Sequence, residues 1–133
     1  MRIPEKVVGE VVKETSLKMS DPSYVQTQVG TFVQTQPAAA KYLTAHVKEL
    51  GGAEAVVNAV FHASLMVACF VRHAGRSVRR ISFEELDAVS GQDRDGRLRR
   101  VQPALADYIA ANVQEPEMKK VLVLLALGMD YVF

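Results

Sequence analysis

Residues 53–74 read AEAVVNAVFHASLMVACFVRHA, and this stretch decides the fold. Sixteen of its 22 residues are apolar, and neither Pro nor Gly interrupts them. A helix of this length extends about 33 Å, enough to cross a small domain. Apolar residues lie around most of its circumference, which predicts burial on most sides. The rest of the chain then serves as its coat. The C-terminal segment 117–132 is the other apolar helix, greasy on nearly every side from Val121 to Leu127, and it is the natural partner of 53–74. No stretch alternates as a strand does. The expected fold is all-α: one domain of six to seven helices packed around 53–74 and 117–132.

The totals agree with one compact body. The chain has 133 residues, 49% hydrophobic and 23% charged, with a net charge of +1. That length suits a single domain, and that composition is able to bury a core. A near-neutral charge exerts no global pull on nucleic acid or on an anionic membrane. The one cysteine, Cys69, excludes an internal disulfide, in keeping with a cytoplasmic location. Residues 121–133 are short for a membrane span and are broken by Gly128 and Asp130, so no membrane partner is expected.

The flanking segments carry helix punctuation. Val7, Val8, Val11 and Val12 form a modest stripe in a helix over 4–18, which could be a peripheral extension of the domain. Asp21-Pro22 is a cap followed by a first-turn proline. After it, Val25, Val29, Phe32, Val33 and Gln36 keep helical spacing. Val-Gln-Thr-Gln occurs twice there, at 25–28 and 33–36, giving an uncharged polar surface that desolvates more cheaply than charge. Pro37 opens a helix that Gly51-Gly52 ends. Gly75 ends 53–74. Ser82 and Glu85 form a capping box, and Ile81 with Leu86 a hydrophobic staple that buries the neighbouring Phe83. Residues 92–96 read as a loop, and Pro103 opens the next amphipathic helix.

Three patterns could carry chemistry. The first is a polar stripe on 53–74: Glu54, Asn58, His62, Cys69 and His73 fall within one-third of a turn. His and Cys on one face can ligate a metal or pair as nucleophile and base. However, His62 and Cys69 are about 10 Å apart along the axis, and only Cys69 and His73 are close enough to share an ion. The stripe is therefore expected to face another helix or a dimer mate. The second pattern is the confinement of eight of nine arginines to 72–100: Arg72, Arg76, Arg79, Arg80, Arg94, Arg97, Arg99 and Arg100. Their planar forks suit phosphate or carboxylate. Only Phe83 is aromatic in that segment, so base stacking has no support. The third is Gln92–Leu98, which resembles the middle of an EF-hand loop. Gly91 and Gln102 stand where that loop needs acids, so calcium is not expected.

The expected function is accordingly a small cytoplasmic interaction or regulatory module, a homodimer that also contacts another protein, with no catalytic residue and no cofactor. The first alternative is binding of nucleic acid or a phosphorylated partner through Arg76, Arg79, Arg80, Arg94, Arg97, Arg99 and Arg100. The second is a metal or cofactor protein using Asn58, His62, Cys69 and His73.

Overall fold

The computed structural model describes residues 1–133 as nine helices and no strand. They are α1 (Glu5–Lys18), α2 (Pro22–Thr35), α3 (Pro37–Ala45), α4 (Val47–Leu50), α5 (Ala53–Ala74), α6 (Phe83–Val89), α7 (Arg94–Val101), α8 (Pro103–Asn112) and α9 (Pro116–Val132). The all-α bundle agrees with the sequence. The count exceeds seven for two reasons. Residues 37–50 break at His46 into α3 and α4, and residues 94–112 break at Gln102 into α7 and α8.

Local chemistry sets the boundaries. The Asp21 carboxylate accepts from the Ser23 N–H and caps α2. Gly51 and Gly75 end α4 and α5 in the left-handed region that favours glycine. Ser82 and Glu85 make the full reciprocal capping box of α6. Ile81 and Leu86 are buried beside it, but Phe83 faces solvent, 48% exposed, contrary to the staple reading. It occupies the first helical position, and the staple uses the residues on either side of it.

Helices α5 and α9 both lie at the centre, as expected, and α9 is the more deeply buried. Ten of the 17 residues of α9 are buried, against seven of 22 in α5. Val57 and Val71 of α5 are exposed, and Val56, Phe61, Val67 and Ala68 are only half covered. Both helices are apolar all round, but only α9 receives a coat on every side. Helix α5 is also long and apolar enough to cross a bilayer; here α1, α2, α3, α4 and α9 pack against it. Residues 1–18 join the body through Ile3, Val8 and Val11, all buried.

The two halves of the chain repeat one plan. Gln36-Pro37-Ala38-Ala39-Ala40-Lys41-Tyr42-Leu43 matches Gln102-Pro103-Ala104-Leu105-Ala106-Asp107-Tyr108-Ile109. Helices α1, α2 and α3 pack on α5 as α6, α7 and α8 pack on α9, and α5 packs against α9. In α1 the buried residues are Val8 and Val11, and in α6 they are Leu86 and Val89. Before each lies a short extended strap, Arg2-Ile3 in one half and Arg80-Ile81 in the other, with both isoleucines buried.

Candidate functional site: reciprocal glutamine clamps and an uncharged face

The only polar residues counted among the buried set are Gln36 and Gln102. Each precedes a proline, which disfavours helical backbone at the glutamine. Both therefore break the chain with nearly the same dihedrals, −130° and 64° at Gln36, −140° and 70° at Gln102. The break turns each amide into the core, where it holds the strap of the other half. Gln36 Oε1 accepts from Ile81 N–H at 2.9 Å, and its Nε2 donates to the carbonyls of Arg79 at 2.9 Å and Val78 at 3.4 Å. Gln102 Oε1 accepts from Ile3 N–H at 2.9 Å, and its Nε2 donates to Met1 carbonyl at 2.7 Å and to Asp130 Oδ1 at 2.9 Å. Every donor of both amides is matched, as burial demands. Helical spacing assigned Gln36 to an α2 face and gave Gln102 no role. The signal for both was the Gln-Pro-Ala-X-Ala-X-Tyr repeat.

The polar stripe of α5 does not form one site. Asn58 and His73, like Glu54, are exposed near the helix ends, His62 is half buried and Cys69 is fully buried. His62 Nδ1 lies 2.7 Å from Tyr108 Oη on α8. Burial pulls the His62 pKa down, partly offset by Glu115, and pushes that of Tyr108 up. Burial also raises the Cys69 thiol to about 12, against a smaller opposing effect of Arg72, so it remains a protonated core residue. No three His, Cys, Asp or Glu side chains converge anywhere in a metal-holding arrangement. The stripe was read from one helix alone, while its three environments come from the uneven cover of α5.

The arginines are mostly engaged within the molecule. Arg79 forks onto Glu85, whose carboxyl that pairing and the Ser82 backbone N–H hold down near 2. Arg99 pairs with Asp107 at 2.8 Å, Arg100 with Asp93 at 3.6 Å, and Arg72 with Glu14. Arg76 donates to the Phe133 carbonyl at 2.9 Å and lies over its ring, Arg94 donates to Gly91 carbonyl, and Arg97 Nε donates to Gln92 carbonyl. The Arg80 side chain alone makes no such contact. Residues Asp93-Arg94-Asp95-Gly96 begin α7 instead of forming a calcium-type loop. The Asp93 carboxylate lies over Gly96, so close that a Cβ there would meet it at 2.5 Å. Gly96 serves helix entry.

A different surface stands out on the first half. From Pro22 to Ala40 there is no charged residue. On α2, Gln26, Thr27, Gly30, Val33 and Gln34 face solvent, with Val33 46% exposed. Periodicity placed Val33 with the inner residues; it lies beside Phe32 on the outer edge of the stripe. Beside it, Val33, Pro37, Ala40, Lys41, Thr44 and Ala45 line an open groove of about 440 Å³. The repeat gives the second half a matching groove, about 200 Å³, lined in part by Arg99, Ala106 and Ala110. Arg99 occupies there the place of Val33, held by Asp107 in the place of Lys41. One groove carries an ion pair and the other an exposed valine.

Comparison with protein-family models, with curated proteins and with solved structures gives no match to this chain.

Proposed function

We propose that this chain is a small helical interaction module that works as a homodimer, in contact through the uncharged face of α2 and the groove beside it. The observation that carries this reading is Val33, an exposed aliphatic residue at the rim of an open groove, inside 19 residues without a charge. Interfaces are depleted of charge at their centre. A face that meets its own copy meets its own charges too; the α2 face has none, and the groove adds only Lys41. The amides and hydroxyls of α2 desolvate at lower cost than ions.

Anion binding by Arg76, Arg79, Arg80, Arg94, Arg97, Arg99 and Arg100 has less support, because all of them except Arg80 make at least one contact to an internal acid or carbonyl, although Arg97 Nη2 is buried without a partner. A metal or cofactor role for Asn58, His62, Cys69 and His73 has less again, because these side chains stand apart. Sedimentation velocity over a wide concentration range tests the homodimer. The expected result is a concentration-dependent dimer that Val33→Glu shifts to monomer. A strict monomer at every concentration, or a dimer indifferent to Val33→Glu and Gln34→Glu, contradicts the reading.

A further inference from the structure

The repeat shows what the first half lacks. In the register that matches Gln36 with Gln102, Lys41 stands at the place of Asp107 and Glu54 at the place of Lys120. In the second half both charges are answered inside the molecule, Asp107 by Arg99 at 2.8 Å and Lys120 by Glu117 at 3.2 Å. The counterparts of those two partners are Val33 and Gly51, which carry no charge. Lys41 and Glu54 are both exposed, and neither takes part in any ion pair of the chain. The cover is missing too. Arg99 and Lys119 line the second groove beside Val123, which is 5% exposed. Val33 and Ala53 stand in their places, and Val57, the counterpart of Val123, is 42% exposed. Long basic side chains lay their stems over apolar surface, and short ones leave it bare. Glu54 lies one helical turn before Val57, on the same side of α5. Helix α3 packs on α5 as α8 packs on α9, so the first groove and this turn of α5 belong to one face.

We infer that two copies of the chain meet across this face on a twofold axis, the Lys41 ammonium of each against the Glu54 carboxylate of the other. The inference rests on the homodimer proposed above and names its contacts. A face with one unanswered charge of each sign is complementary to itself when turned about such an axis. The second copy then supplies both partners that the repeat withholds. The uncharged face of α2 and the open groove form the apolar centre of the contact, and the two ion pairs form its rim.

The test is sedimentation velocity on the full chain with Lys41→Glu, on the full chain with Glu54→Lys, and on an equimolar mixture of the two. Both positions are exposed, so neither change reaches the core. Each variant alone is expected to dimerise about tenfold more weakly than the unaltered chain, because the axis sets like charges against each other at two points. The mixture is expected to recover the dimer, because each position 41 then faces a position 54 of opposite sign. Only a contact between copies is repaired in this way. A variant that dimerises as the unaltered chain does, while Val33→Glu gives monomer, overturns the pairing and leaves the homodimer standing. Two weakened variants that mixing fails to restore also overturn the pairing. A strict monomer for the unaltered chain overturns both readings.

Discussion

The halves of this molecule share a scaffold and differ in what they do with it. Helices α5 and α9 hold equivalent places, but α9 is sealed by its neighbours while α5 leaves valines in solvent. Helices α2 and α7 also correspond. One has an uncharged outer face, and the other is dense in arginine and aspartate that pair among themselves. The comparison teaches that a repeated core is compatible with two unrelated surfaces. Burial is deeper along the central helix of the second half, and the exposed uncharged face lies on the first.

The largest expected effect tests the first part of that contrast. Leu125→Ala in α9 removes a fully buried side chain and should lower unfolding free energy by about 2–5 kcal/mol. Val57→Ala in α5 should change it by less than about 0.5 kcal/mol, as exposed substitutions do. Urea denaturation of both variants measures the difference; equal losses would erase the distinction between the helices.

Next come the clamps. Gln36→Leu and Gln102→Leu each leave a buried isoleucine N–H and strap carbonyls without their partner, a loss of about 1–3 kcal/mol. Thermal melts measure both losses, and a variant as stable as the unaltered protein contradicts the grip at its strap.

A smaller effect is pH-dependent and sits between the halves, at His62 and Tyr108. Burial lowers the His62 pKa, so the unfolded chain binds the proton more readily. The contribution is fully present above the unfolded value of about 6.5 and is lost as pH falls through it toward the lower folded value. Replacing His62 with Gln should flatten the stability profile in that range. A stability that rises on acidification, reversed by the same change, would show the shift has the other sign.

The all-α bundle and the bounds of α5 were legible because apolar spacing, Pro22, Gly75 and the Ser82–Glu85 box are local signals. The uneven cover of α5 was not, since composition states what a helix can bury and not which neighbours arrive. The clamps escaped for a related reason. A glutamine ordinarily belongs to the surface, and only its position before proline in a repeated octapeptide marks it otherwise. The arginine segment read as a surface of Arg–acid pairs with a net +3, but the sequence could not supply the partners outside it, Glu14 for Arg72 and Asp107 for Arg99, which meet across space.

Amide hydrogen exchange at Ile3 and Ile81 tests the reciprocal grip most directly. The account predicts that both N–H groups are protected well beyond an exposed loop, that Gln102→Leu releases Ile3 while sparing Ile81, and that Gln36→Leu does the reverse. Free exchange at both sites in the unaltered protein, or protection that survives loss of its glutamine, would contradict it.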